Sequence, residues 1–467
     1  MSSTRKVVVI GAGPAGYVCA IRLAQLGQDV TVVEKEALGG TCLNVGCIPS
    51  KAMIAAGNLM ERIGHASAMG ITAEGVKLEL EKLVAWKASI VGRLTGGVGT
   101  LLQKNGAKVV TGTATIVDKN TVAVEGPDGE QKLACDEIVI ATGSTPIELK
   151  GFAFDDDKVW SSTEALAPDR IPEHLVVIGG GYIGLELGIL YRKLGSEVTV
   201  LEATPRVLPG QDPDCIKIVE RAMKKLEIKV LTGTFALGHE ERDGKSRVRI
   251  KTGDKEDALV CDQILGTVGR RPYSEGLGLD RIGLATDAKG FLEVDAQRRT
   301  KVPNVWAIGD IAGQPMLAHK GSREGLVAAA AIAGKPEVYD VKCVPAVIFT
   351  SPEVASVGLQ EAECKQRGLE YVAGQFPFAA SGRAMTHLET DGFVKILADA
   401  KTDEVLGVHM VGPEVTELVA EATLAIEMGA TAEDLARTIH SHPTLAEAVM
   451  EAAEAVHGAA VHIFQKK

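Results

Sequence analysis

Aromatic residues are scarce in this chain, only 4% of its 467 residues. That is too few for the stacking platforms on which single-stranded nucleic acids are held. Basic residues are outnumbered, 50 against 61 acidic ones, which gives a net charge of −11 with no basic run. The balance argues against a phosphate-tracking groove or an anionic lipid surface, so neither nucleic acid nor membrane is expected as a partner. Nowhere do apolar residues continue for the ~20 positions that a membrane-spanning helix needs. The Ala-rich run 327–333 is short and reads as buried helix. Residues 1–6 are polar and lead straight through an apolar run into a glycine cluster, which does not read as a secretory leader.

Cysteine is also sparse, eight residues in all. Cys19, Cys135, Cys215, Cys261, Cys343 and Cys364 are scattered and read as small buried hydrophobes. That usage fits a reducing compartment, and a cytoplasmic location is expected. The other two, Cys42 and Cys47, stand i, i+5 in the segment Gly39-Gly40-Thr41-Cys42-Leu43-Asn44-Val45-Gly46-Cys47-Ile48-Pro49-Ser50-Lys51. In an ideal helix, rising about 1.5 Å per residue, such a pair lies roughly 8 Å apart. Bonded cysteines hold their Cα atoms nearer to about 5.5 Å. If the two are bonded, the backbone must bend, and Gly46 and Pro49 supply the means. A strained, accessible pair is easily reduced and suits a redox part better than a structural staple. A zinc half-site would need a second close Cys/His pair, which the sequence lacks, so no metal is expected.

Glycine, by contrast, is plentiful at 52 residues. Gly11-Ala12-Gly13-Pro14-Ala15-Gly16 follows an apolar strand at 6–10 and opens a helix at 14–26; a second strand at 29–34 ends on Glu34. Glycines there permit a tight turn, the approach of a pyrophosphate to the helix N-terminus, and helix–strand packing, while the acid can bind a ribose hydroxyl pair. The same grammar recurs: strand 175–178, Gly179-Gly180-Gly181-Tyr182-Ile183-Gly184, helix 182–194, and strand 197–202 ending on Glu202. A carboxylate at that place favours a free 2′-hydroxyl over a 2′-phosphate, so NAD is expected rather than NADP, with Arg206 the one neighbour able to moderate the preference. Two dinucleotide sites and a dithiol point to an electron relay from thiols through a flavin to nicotinamide.

Between the two units lie helical residues 50–105, broken at 64–76, β segments around 108–124 and a strand at 136–141. Further β segments are expected at 247–251 and 262–268, and a parallel strand at 302–308. From about 344 the pattern changes to strands at 346–349, 392–398 and 404–410 with helices at 413–428 and 444–457. The fold class is α/β, two Rossmann-like dinucleotide-binding domains with an α+β C-terminal domain. The length suits two to four domains.

Thiol exchange needs a base, because the thiolate is the nucleophile. His440-Ser441-His442-Pro443-Thr444-Leu445-Ala446-Glu447 stands out, with Glu447 placed to orient an imidazole. Thr444-x-x-Glu447 is also a capping box, and spacing alone slightly favours that reading. Pattern does not separate His440 from His442. His319 is a third candidate, more often a packed or surface residue.

These motifs, together with Ala141-Thr142-Gly143-Ser144, Glu186, Gly269-Arg270-Arg271-Pro272, Trp306-Ala307-Ile308-Gly309-Asp310, Ser351-Pro352-Glu353-Val354-Ala355-Ser356-Val357-Gly358 and His442-Pro443-Thr444, cover essentially the whole chain. In them the sequence resembles the flavoprotein pyridine nucleotide-disulfide oxidoreductases, and among these the dihydrolipoamide dehydrogenase group. The resemblance implies FAD on Gly11, Gly13, Pro14, Ala15, Gly16, Glu34, Lys35, Gly40, Thr41, Lys51, Thr142, Gly143, Ser144, Met316, Leu317, Ala318 and His319, with Asp310 on the ribityl chain. It implies NAD on Gly179, Gly181, Tyr182, Ile183, Gly184, Glu202 and Gly269. Cys42 would be the interchange thiol and Cys47 the charge-transfer thiol, with Lys51 and Glu186 paired near the flavin. A homodimer would bring His442 and Glu447 of one protomer to its partner's disulfide.

The implied domains are FAD-binding 1–145, NAD-binding 146–270, central 271–343 and interface 344–467. The implied activity is oxidation of dihydrolipoamide with NAD. The implied partners are lipoyl-bearing proteins and a peripheral subunit-binding domain of an acyltransferase, within a 2-oxo-acid dehydrogenase or glycine cleavage complex. Four positions depart from the usual wording: Tyr182, Ser322, Arg323 and Tyr273. A glutathione-type reductase should carry arginine where Ala203 stands, a mercuric reductase should carry C-terminal cysteines absent from 457–467, and a soluble transhydrogenase should lack Cys42. A non-catalytic scaffold of a large complex is the alternative from another class.

Overall fold

In the computed structural model, which describes residues 4–127, 129–155 and 157–465, each glycine fingerprint sits at the centre of its own parallel sheet. In strand Lys6–Ile10 the β-branched run Val7–Ile10 is buried on both faces, the signature of a central parallel strand. The first sheet runs Val305–Ala307, Glu137–Ile140, Lys6–Ile10, Asp29–Glu34, Lys108–Thr111, every pair parallel. The second runs Lys229–Leu231, Glu197–Leu201, His174–Ile178, Gln263–Gly266, Val159–Trp160, again all parallel. The chain thus leaves the first sheet after Ile140, builds the second, and returns to add an edge strand. The ribbon Ser144–Pro146 paired with Arg270–Pro272 joins the two excursions.

The C-terminal sheet is antiparallel: Ala346–Ile348, Glu353–Gly358, Val405–Gly412, Phe393–Asp399, Tyr371–Pro377. Helices Val415–Met428 and Glu447–Val456 cover it, burying Val394, Ile396, Val408 and Met410 against Val419, Ala422, Val449 and Ala452. Among the described residues no helix is long and apolar enough to cross a membrane.

Several elements are shorter than their sequence patterns. The strand expected at 302–308 is only Val305–Ala307, because Asn304 turns the chain at φ 63°. The helix expected from 444 begins at Glu447, its would-be first turn being held outside the helix. The helical stretch from 50 resolves into Cys47–Gly64 and Leu80–Lys104 with a short 3-10 turn at Ala66–Met69. Strands Thr234–Arg242 and Lys255–Cys261, which flank Lys245–Thr252, had no clean alternation to announce them.

Candidate functional site

The two fingerprints repeat each other bond for bond. Gly11 sits at φ 101° and donates its N–H to Val33; Gly179 sits at φ 108° and donates to Leu201, both at 2.8 Å. A Cβ at either would stand 2.4–2.5 Å from a carbonyl oxygen of the next parallel strand, Ala141 or Thr267, so only glycine fits. Glu34 Oε2 accepts the Ala12 N–H at 2.7 Å and Glu202 Oε2 accepts the Gly180 N–H at 2.7 Å. The other oxygen accepts from Glu36 at 3.0 Å in the first unit and from Thr204 at 2.6 Å in the second. Each carboxylate is therefore locked at the strand end with lone pairs left for a ribose. Arg206 is exposed, and its carbonyl accepts from Thr204 Oγ1 at 2.7 Å.

A cavity of about 450 Å³ opens at the first fingerprint. It is lined by Gly11, Gly13, Pro14, Ala15, Glu34, Lys35, Gly40, Thr41, both Cys42 and Cys47, Lys51, Thr142, Gly143 and Ser144, and from the far wall by Asp310, Met316, Leu317 and Ala318. A Cβ on Gly13 would meet nothing nearer than 4.0 Å, so the fingerprint backbone faces open space wide enough for a pyrophosphate. These residues fit a flavin dinucleotide. Gly16 lies behind the wall, where a Cβ would collide with the Gly11 carbonyl at 1.9 Å. The first turn of helix Tyr182–Lys193 also enters the cavity, with Tyr182, Ile183 and Glu186. Gly179, Gly181, Gly184 and Glu202 of the second unit, and Gly269, do not line it.

The cysteines are separated by a break rather than a bend. Cys42 lies in the short helix Gly40–Asn44 and Cys47 is the first residue of the 18-residue helix Cys47–Gly64. Between them Gly46 adopts φ −138°, ψ −111°, where a Cβ would press the Thr41 carbonyl oxygen at 2.9 Å. Pro49 falls in the first turn, where its missing N–H costs nothing. The two cysteines face one cavity and are not bonded to each other in the structure. Cys42 hydrogen-bonds toward Cys47, which pulls the Cys47 thiol down to about 7, aided by Lys51 against the opposing effect of burial. The same bond, with burial, pushes the Cys42 thiol well up. The first proton to leave is that of Cys47.

Lys51 Nζ pairs with Glu186 Oε2 at 2.8 Å and sits over the Phe349 ring at 4.3 Å. Glu186 Oε1 accepts the Phe349 N–H at 2.9 Å. Three elements therefore converge on one lysine, joining the first βαβ unit, the second and the C-terminal domain.

The histidines separate cleanly. His440 uses both ring nitrogens, on Thr438 O and Glu421 Oε1, each at 2.8 Å, and its side chain is 6% exposed. His442 uses only Nδ1, on Glu447 Oε1 at 2.8 Å, and its side chain is 81% exposed. Glu447 Oε2 accepts the Thr444 N–H at 2.8 Å. One oxygen thus orients His442, while the other holds the Thr444 N–H outside the helix, which begins at Glu447 without a side-chain cap; the capping box does not form, and the Thr444 hydroxyl turns back to Ser441 O. Burial raises the Glu447 carboxyl, but these two bonds outweigh it and hold the group below its ordinary value. His442 and Glu447 do not line the cavity of their own chain. His319 is exposed, bonds Pro345 O at 2.8 Å and also lies outside it.

Sequence reasoning gave no role to Arg270 or Tyr273. Arg270 donates Nε to Ser144 Oγ at 2.9 Å and Nη2 to Ser144 O at 2.7 Å. Ser144 Oγ in turn donates to Asp310 Oδ2 at 2.5 Å, fixing that carboxylate on the cavity wall. Tyr273 O accepts from Thr142 Oγ1 at 2.6 Å and its ring lies under Lys35 at 4.4 Å. Ser322 bonds its own helix and Arg323 pairs with Glu337 at 2.9 Å, away from the cavity. Five of the six scattered cysteines are buried, and Cys343 is half-buried against Glu427 and Thr423.

The sequence matches pyridine nucleotide-disulphide oxidoreductase over residues 5–325 and the dimerisation domain of pyridine nucleotide-disulphide oxidoreductase over residues 344–453. It is 50% identical over 457 residues to the dihydrolipoyl dehydrogenase of Bacillus subtilis, covering 98% of this chain and 97% of that protein. It is 48% identical over 461 residues to that of Geobacillus stearothermophilus, covering 99% and 98%. Among solved structures, LpdA of Mycobacterium tuberculosis superposes with a TM-score of 0.91 at 26% identity, over 97% of this chain and 99% of that one.

Proposed function

From the premise that this chain belongs to the pyridine nucleotide-disulphide oxidoreductase family, we propose the following division of labour. The enzyme oxidises dihydrolipoamide to lipoamide and reduces NAD+ to NADH, with FAD and the Cys42–Cys47 pair as its redox groups. It is a homodimer through its C-terminal domain. FAD is held by the first fingerprint, Glu34 and the Ser144–Asp310 wall, and NAD by the second fingerprint and Glu202. When bound, FAD takes an electron pair from the dithiol and passes it on as hydride.

The chain's own residues do the sulfur chemistry. His442 of one protomer accepts a proton from a substrate thiol at Nε2, with Glu447 fixing the proton on Nδ1. The substrate thiolate attacks Cys42 Sγ of its partner's disulfide. The Cys42–Cys47 bond breaks and Cys47 leaves as thiolate, stabilised by Lys51 and by the N-terminus of the helix it begins. The second substrate thiol attacks the substrate sulfur of the mixed disulfide, its proton passes to the departing Cys42 sulfur, and lipoamide leaves. Two electrons have then moved from substrate to the cysteine pair. One substrate proton rests on Cys42 and the other on His442. The observation that carries this assignment is geometric: Cys42, Cys47 and Lys51 share one cavity with the first fingerprint, and Lys51 pairs there with Glu186 at 2.8 Å.

The domains are read as 1–145, 146–270, 271–343 and 344–467. A net charge of −11 favours a basic subunit-binding domain as the docking partner, with lipoyl groups presented on proteins. The buried, unbonded cysteines support a cytoplasmic location.

Hybrid dimers test the shared site. Cys42→Ser and His442→Gln homodimers should both be inactive. Dissociated and reassembled together, half the dimers are hybrids holding one intact site, so about a quarter of wild-type turnover should return. No recovery, with hybrids demonstrated by mass, would place the base within its own chain.

A further inference from the structure

Lys395 is 3% exposed, on strand Phe393–Asp399 of the C-terminal domain. Its ammonium meets three carboxylates: Asp212 Oδ2 at 2.7 Å, Asp214 Oδ2 at 3.0 Å and Glu361 Oε1 at 3.1 Å. Three donors meet three acceptors, so the burial is fully compensated. Burial alone would lower the lysine, yet the surrounding carboxylates raise it, and it stays charged. Glu361 belongs to the C-terminal domain, whereas Asp212 and Asp214 belong to the second βαβ unit. Asp212, 1% exposed, also caps helix Pro213–Lys225 through Asp214 N at 2.9 Å and Cys215 N at 3.3 Å. The knot therefore crosses between domains and ends on a helix cap.

Further bonds bind the same segment to the C-terminal domain. Ser356 Oγ meets Gln211 Oε1 at 3.2 Å, Gln360 Nε2 donates to Gly210 O, and Lys225 pairs with Asp391 at 2.6 Å. On its other side the segment is tied to the second fingerprint. Leu208 donates its N–H to Gly180 O at 2.8 Å, Gln211 donates to Leu208 O at 3.1 Å, and Val207 packs where a Gly180 Cβ would go. Leu208 holds φ 49°, a backbone strain that its surroundings must maintain. A continuous set of contacts runs from Lys395 through Asp212, Gln211 and Leu208 to Gly180, whose N–H is held by Glu202.

We propose that Lys395 is a positioning residue for the nicotinamide dinucleotide: through Asp212 it holds the 203–211 loop so that Gly180 and Glu202 are preset for the adenosine ribose. The proposal rests on the reading that Glu202 marks the NAD site. Buried ion pairs add little net stability but fix which arrangement of two elements is adopted. Here the arrangement fixed is that of the cofactor loop against the C-terminal domain. The sulfur side of the enzyme shares none of these contacts.

The test is calorimetric titration of the FAD-loaded dimer with ADP-ribose, which carries the ribose and pyrophosphate but has no nicotinamide to react. In Lys395→Met the Kd for ADP-ribose and the KM for NAD should rise together about tenfold, while the dihydrolipoamide KM, FAD content and dimer mass stay at wild-type values. Lys395→Arg should restore most of the affinity. Glu202→Ala is the control: if it leaves the ADP-ribose Kd unchanged, the NAD-site reading itself fails. If Glu202→Ala weakens binding and Lys395→Met does not, the positioning role is wrong. Parallel losses of FAD, dimer and both KM values in Lys395→Met, without selective loss of ADP-ribose, would reduce the knot to a structural brace. Should Lys395→Met not fold, Asp212→Asn, which keeps the oxygen that caps the helix and removes the charge that meets Lys395, should raise the ADP-ribose Kd about threefold; no change there also overturns the proposal.

Discussion

Glu447→Gln is an almost isosteric change whose outcome follows from a count of donors and acceptors. Glu447 accepts two hydrogen bonds on separate oxygens, from the Thr444 N–H and at His442 Nδ1. A glutamine offers one acceptor and one donor. The Thr444 N–H has no alternative role, so it claims the amide oxygen. The amide NH₂ then faces His442 Nδ1, which must become an acceptor. The ring proton moves to Nε2, the nitrogen that should receive the substrate proton, and the imidazole can no longer act as base. The Thr444 bond survives, so the fold should be undisturbed. General-base catalysis contributes typically 10²–10⁴-fold, and wrong-tautomer variants lie toward the upper end. We expect a loss of about 10³ in the reduction of the Cys42–Cys47 disulfide by dihydrolipoamide, about 4 kcal/mol of barrier. Anaerobic stopped-flow mixing of oxidised enzyme with dihydrolipoamide measures that step alone. The reverse entry of electrons from NADH does not use His442 and should stay within twofold. A variant that retains disulfide reduction to within fivefold, or loses both half-reactions equally, would refute the argument.

The remaining expectations concern the cofactor and sulfur sides. Alkylation of the reduced, FAD-free protein by iodoacetamide should titrate at Cys47 near pH 7, the thiolate being present above that pH and lost below it. In Lys51→Met the stabilising cation is gone, so the titration should move to higher pH and the rate at pH 7 should fall; an unchanged midpoint would exclude Lys51 as a cause. Glu202→Ala should narrow the preference for NAD over NADP by about tenfold in kcat/KM, since the carboxylate no longer repels a 2′-phosphate. Retention of full discrimination would move the selectivity elsewhere. Gly11→Ala puts a Cβ 2.4 Å from the Ala141 carbonyl oxygen at φ 101°. It should cost about 3 kcal/mol or more of stability and most of the bound FAD, read by thermal melting and flavin absorbance.

What could be read from the sequence was whatever a short stretch of chain dictates by itself. The strands leading into Gly11 and Gly179 and the acids Glu34 and Glu202 follow from local sterics and hydrophobic pattern, whereas Gly46 reads as a bend and is a break between two helices. The choice between His440 and His442 did not, because it depends on Glu421, which arrives from another helix and occupies His440. The capping and catalytic readings of Glu447 looked exclusive along the sequence. The structure gives Glu447 the orienting bond and no cap, because its second oxygen holds a Thr444 N–H that lies outside the helix. Arg270 and Tyr273 were in view but silent, since their value lies in reaching Ser144, Asp310 and Thr142 across a two-stranded ribbon that no local pattern foretells. Thr234–Arg242 escaped notice for a different reason: a register shift between Ala236 and Gly238 spoils the period-two alternation.

The Lys51–Glu186 pair explains why two copies of one fold had to be joined in this orientation. Electrons enter at a sulfur and leave on a nicotinamide, so both groups must reach one flavin. Each βαβ unit binds at the carboxyl ends of its strands, and a copy facing away would leave its dinucleotide in solvent. Here the helix that follows the second fingerprint points its first turn into the first unit's cavity, bringing Tyr182 and Glu186 to the wall opposite Cys47. A carboxylate buried there without a partner would be costly. Lys51, one turn after Cys47 on the same helix, neutralises it at 2.8 Å and also favours the Cys47 thiolate. Phe349 from the C-terminal domain caps the pair by ring and backbone. Replacing the pair with apolar residues of equal size would therefore keep the domains joined yet remove the cation on which the sulfur chemistry draws.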